Sequence, residues 1–144
     1  MISRDQIIAE ARKWLGTPFR HQGRIRGRGV DCVGLLLCVM RDLGIADWLT
    51  EFVTYPRQPM TDRVLEVCRA RMIEIPLFEP MQPGDILVFR VPTVACHTAI
   101  VTELHGKPGI VHAYSPAGKV VEHCIDEKWR RRVAGCFLAP GVSE

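Results

Sequence analysis

One of the six cysteines, Cys32, occupies a position that favours nucleophilic chemistry. It follows Asp31 at the predicted start of an apolar helix. The unpaired N–H groups and the dipole at a helix N-terminus favour negative charge, so we expect the pKa of this thiol to be lowered. The same N–H groups could donate to an oxyanion formed when a carbonyl carbon is attacked. The position is typical of a cysteine that transfers acyl groups.

Two of the five histidines are candidates for the base that such a nucleophile needs. His97 opens one predicted strand and His112 lies in the next. If these strands pair as a hairpin, the two imidazoles are neighbours on one face. A base and a group that orients it complete a nucleophilic site, so Cys32, His97 and His112 form a candidate triad. We expect His105 and His123 to face solvent.

The other five cysteines are expected to be small buried hydrophobic residues, because thiols stay reduced in the cytosol and no Cys-x-x-Cys pair occurs. The adjacent pairs Cys96-His97 and His123-Cys124 would point to opposite faces of a strand. We therefore expect no metal site. Thiol, imidazole and backbone donors suffice for the chemistry, so no cofactor is expected either.

The first half of the chain is predicted to be helical. Ser3 and Gln6 have the spacing of a capping box, followed by an apolar stripe that includes Trp14 and Leu15 and ends at Gly16. A second helix is predicted over 31–43. It is apolar on nearly every side, as in a buried helix. A third begins near residues 61–62, after an irregular segment over 45–60.

The second half is predicted to form strands. Prolines separate it from the helical half, and short β-branched or alternating runs follow. The predicted strands are Asp85–Arg90, His97–Glu103, Ile110–Ala113, Lys119–His123 and Arg130–Leu138. Helices followed by antiparallel strands with short turns are typical of an α+β fold.

Residues 20–29 contain four arginines and three glycines, which predicts a loop. A phosphate-binding loop is disfavoured because no strand precedes it and no Gly-Lys-Ser/Thr follows. We expect a solvated basic rim. Arg24 and Arg28 could also pair with substrate carboxylates through bidentate hydrogen bonds, and this alternative stays open.

Length and composition set further limits. The chain has 144 residues, which predicts a single domain over 1–144, and the net charge of +3 does not indicate a nucleic-acid partner. The longest apolar run, over 33–40, is too short to span a membrane. The first six residues lack the order of a signal peptide, so we expect synthesis in the cytoplasm.

Several segments, taken in order, resemble the NlpC/P60 family of papain-like cysteine peptidases. They are WLGTPFRHQG over 14–23, DCVGL over 31–35, PGDILVF over 83–89 and CHTAIV over 96–101. Two later segments, HAY over 112–114 and WRRRVAG over 129–135, resemble the phage-encoded branch of cell-wall peptidases, which also occurs in prophages and gene transfer agents. The resemblance covers nearly the whole chain.

The resemblance implies a fold in which N-terminal helices pack on an antiparallel sheet of about five to six strands. It implies hydrolysis of amide bonds in peptidoglycan stem peptides, often at the γ-D-glutamyl–diamino-acid bond. By motif, Cys32 is the nucleophile, His97 the base and acid, and His112 the orienting residue. For a cell-wall enzyme without a signal peptide, it also implies delivery by a phage tail or release on lysis.

Two positions depart from the family pattern. Phe19 stands where the family usually has tyrosine, and Val33 stands where serine is common after the cysteine. The missing hydroxyl could weaken activity, or His21 could contribute in its place. We expect Phe19, His21, Asp31, Arg24 and Arg28 to contribute to substrate binding.

Two other functions stay open. The chain could be a structural protein of phage tail assembly or of the tail tip, with phage tail proteins as partners and a weak or idle peptidase site. It could also be a related Cys–His amidase that cuts a different amide bond.

Overall fold

The computed structural model describes residues 1–45 and 55–143. The part of the predicted irregular segment over 46–54 lies outside the described residues. The chain forms a six-stranded antiparallel sheet, with helices packed mainly against one face, as the α+β prediction requires. Within the described ranges, no helix is long and apolar enough to cross a membrane.

Among the described residues, three helices come from the first half of the chain. They are α1 (Arg4–Arg12), α2 (Cys32–Asp42) and α3 (Arg63–Arg71). The capping box at α1 is present, because Ser3 accepts from the backbone of Gln6 and Gln6 accepts from that of Ser3. Trp14 is buried, as predicted, whereas Leu15 is 43% exposed and does not belong to the core.

The predicted loop over 20–29 contains a small hairpin, β1 (Arg24–Ile25) and β2 (Gly29–Val30). It leads directly into α2, whose residues from Val33 to Met40 are all buried, as the apolar pattern predicted. Gly44 follows with a positive φ of 69°, a conformation that suits glycine at a helix end. The hairpin and the buried helix together place Cys32 at the first turn of α2.

The large sheet has the strand order β3-β8-β4-β5-β6-β7. Its strands are β3 (Ile73–Ile75), β4 (Ile86–Arg90), β5 (Ala95–Leu104), β6 (Lys107–Tyr114), β7 (Lys119–Cys124) and β8 (Val133–Leu138). The hairpin β5–β6 turns on His105 and Gly106, both with positive φ. Such a two-residue turn matches the strand twist and helps set the register between His97 and His112.

Two features of this half differ from the sequence prediction. Strand β3 was not predicted, and residues 127–131, partly assigned to the last strand, form a short helix, α4 (Glu127–Arg131). Asp126 caps α4 by accepting from the backbone N–H of Trp129. The indole of Trp129 is then buried against the sheet face opposite the main helix layer, beside Phe89. The Asp126 cap and the burial of Trp129 therefore favour a helix where the sequence pattern predicted the first residues of the last strand.

Helix α1 is fastened to the sheet by a buried ion pair. The guanidinium of Arg4 lies 2.7 Å from a carboxylate oxygen of Asp85, which is fully buried, and it also donates to the carbonyl of Pro83. The second oxygen of Asp85 accepts from the backbone of Gln82. The pair therefore joins the N-terminal helix to the turn that starts β4.

Replacing Arg4 with methionine keeps the aliphatic stem but leaves the Asp85 carboxylate buried without its cation. We expect the free energy of unfolding, measured by urea titration, to fall by about 3 kcal/mol. As a control, Arg69→Met removes an ion pair with Glu74 in which both side chains are about half exposed, and should cost under about 1 kcal/mol. Equal losses in both variants would contradict this account.

Candidate active site

Cys32 lies in a cleft of about 690 Å³ at one end of the sheet. Asp31 is the N-cap of α2, so Cys32 is its first helical residue, as predicted. The thiol lies 3.7 Å from the carbonyl oxygen of Cys96, and the Thr98 hydroxyl donates to the Cys32 carbonyl over 2.9 Å. Contacts to the residues on both sides of His97 therefore hold the nucleophile against the start of β5.

The structure brings His97 and His112 together, as the hairpin prediction required. Nε2 of His97 lies 2.7 Å from Nδ1 of His112, and His97 lines the same cleft as Cys32. Because Nε2 is engaged by His112, Nδ1 is the nitrogen of His97 available to act as base. The arrangement is that of a nucleophile, a base and an orienting group.

Aromatic rings surround the two histidines. Tyr114 stacks on His112, and Trp129 packs against both imidazoles with ring centroids 5.1 and 5.7 Å away. Burial lowers the pKa of His97 to about 4, with a further contribution from the nearby positive charge of Arg132. Burial, and then the neighbouring histidines, lower the pKa of His112 to about 2. Both rings are therefore neutral at pH 7.

The expected lowering of the Cys32 pKa is wrong for the substrate-free chain. Burial and the negative charge of Asp31 raise the pKa of this thiol to about 12. Hydrogen bonds from the backbone of Thr98, in β5, and of Val33, at the N-terminus of α2, act in the opposite direction, but they are outweighed. The cleft therefore holds a neutral thiol and a neutral imidazole at rest, and a thiolate would form only when a base, the role predicted for His97, takes the proton.

His123 is a part of this site that the sequence prediction missed. It was expected to face solvent, but it is partly buried and its Nε2 lies 2.8 Å from Nε2 of His112. The alternation of side chains along a strand could have indicated this placement. Val121 lies opposite His112 in the sheet, so His123, two residues further along β7, lies on the same face as His112.

Of the expected substrate-binding residues, Phe19, His21 and Asp31 line the cleft. Asp31 is nearly fully buried and its oxygens accept internally, from the backbone of Gly34 and Gln22 and from the side chains of Arg24 and Tyr55. The structure thus uses its carboxylate to cap α2 and to hold the hairpin.

Neither of the two arginines predicted to bind substrate lines the cleft. Arg24 donates to Asp31, to the carbonyl of Gly23 and to the hydroxyl of Tyr55, and it is not among the residues that line the cleft. Arg28 is exposed, outside the lining as well. The cations on the cleft wall are instead Arg57, Arg63 and Arg132.

Tyr55 is a second residue that the prediction missed. Its hydroxyl donates to Asp31, its carbonyl lies 2.9 Å from Nε2 of His21, and its ring lines the cleft. Phe19, in the position where tyrosine was expected, lines the same cleft without a hydroxyl. A tyrosine hydroxyl is therefore present in the cleft, but it belongs to Tyr55 and not to position 19, and it donates to Asp31.

The other cysteines divide into two groups. Cys38, Cys68 and Cys136 are buried as expected, whereas Cys96 is only partly buried and Cys124 is exposed, so the prediction is wrong for these two. Among the described residues, no group of three or more His, Cys, Asp or Glu side chains is arranged to hold a metal ion.

Alkylation of Cys32 tests the charge state of the pair. Because thiol and imidazole are both neutral at rest, we expect the rate of modification by iodoacetamide to rise about tenfold per pH unit between pH 6 and 9, with the thiolate fraction. Mass spectrometry of the Cys32 peptide measures it, with the exposed Cys124 as an internal reference. A fast, pH-independent rate between pH 5 and 8 would show a thiolate–imidazolium pair instead.

The neutral imidazoles also make folding depend on pH. A histidine titrates near pH 6.5 when unfolded, so the unfolded state binds more protons than the folded state below that pH. Stability is fully present above pH 6.5 and falls as the pH drops towards 4. We expect a loss on the order of 3 kcal/mol between pH 7 and 5 in urea titrations. His112→Asn should roughly halve the slope, and a slope equal to that of wild type would contradict the assignment.

The comparisons with known proteins concern the fold. No family model matches the chain, and no curated protein matches it either. Solved structures do match. The NlpC/P60 domain of the peptidoglycan hydrolase SagA is 22% identical with a TM-score of 0.61, over 93% of this chain and 97% of that one.

Two larger proteins give similar results. An NlpC/P60 family protein from Bacillus cereus is 19% identical with a TM-score of 0.69, over 95% of this chain and 40% of that one. The peptidoglycan hydrolase RipB from Mycobacterium tuberculosis is 18% identical with a TM-score of 0.61, over 93% and 63%. The resemblance in sequence and the match in structure agree, and the chain has the NlpC/P60 fold.

Proposed function

We propose that this protein is a cysteine peptidase that hydrolyses amide bonds in peptidoglycan stem peptides. The observation that carries the proposal is the single cleft lined by Cys32, at the N-terminus of α2, and by His97, whose Nε2 lies 2.7 Å from Nδ1 of His112. The structurally similar SagA and RipB are described as peptidoglycan hydrolases, which supports the choice of substrate.

Each residue has a defined part in the proposed reaction. His97 takes the thiol proton on Nδ1 as the sulfur of Cys32 attacks the scissile carbonyl carbon. The oxyanion is stabilised by backbone N–H groups at the start of α2. His97 then protonates the departing amine, and a water molecule, activated by the same ring, hydrolyses the thioester and restores the thiol.

The cleft wall suits a peptide that carries free carboxylates. Phe19, Tyr55 and Tyr114 provide aromatic surface, and arginines 57, 63 and 132 provide positive charge around it. The one acidic side chain among the described lining residues, Asp31, is already held by internal hydrogen bonds. Stem peptides expose several carboxylates, so the charge of the described wall favours them over basic peptides.

The finer parts of the proposal rest on the sequence resemblance. We take the bond cut to be the γ-D-glutamyl–diamino-acid bond and the protein to be encoded by a phage or prophage. We also take the protein to be synthesised in the cytoplasm and delivered to the wall in a phage particle or on lysis. An amidase would differ in the masses of its products, and a structural tail protein would bind tail proteins without cleaving stem peptides.

Digestion of purified sacculi tests the proposal. Wild type should release peptides whose masses identify cleavage on the carboxyl side of the γ-linked glutamate. Cys32→Ala and His97→Ala should each reduce product formation by about 1,000-fold or more while the thermal melting curve stays cooperative. Cys124→Ala, which removes an exposed thiol outside the cleft, is the matched control and should remain active. Near-wild-type product yields from Cys32→Ala would rule out the proposed mechanism.

A further inference from the structure

The three histidines of the sheet form one continuous line of ring contacts that ends on a backbone carbonyl. Nε2 of His97 lies 2.7 Å from Nδ1 of His112, and Nε2 of His112 lies 2.8 Å from Nε2 of His123. Nδ1 of His123 lies 2.9 Å from the carbonyl oxygen of Cys124. His112 and His123 each use both of their ring nitrogens in these contacts. His97 uses only Nε2, so its Nδ1 is the free end of the line.

The end of this line decides where every proton sits. A carbonyl oxygen only accepts hydrogen bonds, so Nδ1 of His123 must carry a proton, and in the neutral ring its Nε2 is then an acceptor. His112 must therefore donate from Nε2 and accept on Nδ1. His97 in turn donates from Nε2, which leaves its Nδ1 bare.

We propose that His123 is a positioning residue that, through the carbonyl of Cys124, sets the tautomer of His112 and His97 and keeps Nδ1 of His97 unprotonated for the thiol of Cys32. The proposal rests on the proposed function of the Cys32–His97 pair, and it adds a fourth side chain that does not touch the substrate. It also assigns a role to a backbone carbonyl at the end of β7.

Burial makes the direction of the line matter. His112 is fully buried and His97 is 8% exposed, beneath Trp129 and Tyr114, so water has little access to satisfy a nitrogen that loses its partner. If His112 carried its proton on Nδ1 instead, it would present a donor to Nε2 of His97. That ring would then hold its proton on Nδ1 and could not accept one from the thiol.

The tautomers can be observed without any substrate. Two-bond 1H–15N correlation spectra of 15N-labelled protein at pH 7.5 distinguish the protonated nitrogen of each ring. We expect protonation at Nε2 for His97 and His112 and at Nδ1 for His123, a mixed pattern that follows only from a line ending on an acceptor. Protonation of His112 at Nδ1, or of His123 at Nε2 alone, would overturn the proposal.

Kinetics of two variants test the consequence. His123→Leu removes the acceptor for His112, and we expect kcat for stem-peptide hydrolysis to fall about 10–100-fold with KM changed less than about twofold. In His123→Gln the amide oxygen can still accept, so kcat should recover to within about threefold of wild type, with His112 again protonated at Nε2. His105→Asn is the matched control, because it removes an exposed imidazole at the β5–β6 turn and asparagine tolerates the positive φ of that position.

The two proposals fail in different ways. Inactivity of wild-type protein on stem peptides, with the mixed tautomer pattern in place, would reject the substrate but leave the line of histidines standing. Equal kcat values for wild type and His123→Leu in an active enzyme would reject the role of His123 alone. Equal losses in the Leu and Gln variants would show that the ring acts by packing and not by accepting the proton, and would also overturn the proposal.

Discussion

The hydrogen bond between His97 and His112 is the contact on which the site depends. It exists because β5 and β6 pair in one register, which places the two imidazoles diagonally across the strands on one face. It engages Nε2 of His97 and so leaves Nδ1 as the nitrogen available for the proposed proton transfer. The aromatic rings of Trp129 and Tyr114 around the pair limit the access of water. The protein partners of each imidazole, and not solvent, therefore determine which nitrogen donates and which accepts.

Asp31 organises the other half of the site. Its carboxylate caps α2 and accepts from the backbone of Gln22 and from the side chains of Arg24 and Tyr55. One side chain thus positions Cys32, the small hairpin and part of the cleft wall. Its negative charge has a cost, because together with burial it raises the pKa of Cys32. The site therefore keeps Cys32 as a thiol at rest, in contrast to the activated thiolate that a helix N-terminus alone would favour.

Local sequence patterns were sufficient for much of this architecture. The capping box at Ser3, the Asp31 cap and the apolar run of α2 are determined by neighbours in the chain, and all three are present. The pairing of His97 with His112 followed from one assumption, that adjacent strands form a hairpin. The NlpC/P60 fold followed from the order of the motifs.

Other features depend on contacts between distant segments and could not be obtained in this way. Helix α4 has only five residues, and it is held by the burial of Trp129 against the sheet. The partner of His123 becomes apparent only when β7 is aligned on β6, and the partner of Arg24 only when the hairpin closes on Asp31. An arginine-rich loop indicates charge but not which of its cations are already paired.

The central claim is that the thiol of Cys32 performs the reaction, and reversible modification of that thiol tests it most directly. Methyl methanethiosulfonate adds only a small S-methyl group, and the modified fraction of Cys32 can be measured by mass spectrometry beside the rate of muropeptide hydrolysis. The account predicts that the rate falls in proportion to the modified fraction, reaches zero at full modification and returns when dithiothreitol removes the group. Hydrolysis that persists when Cys32 is fully modified would contradict it.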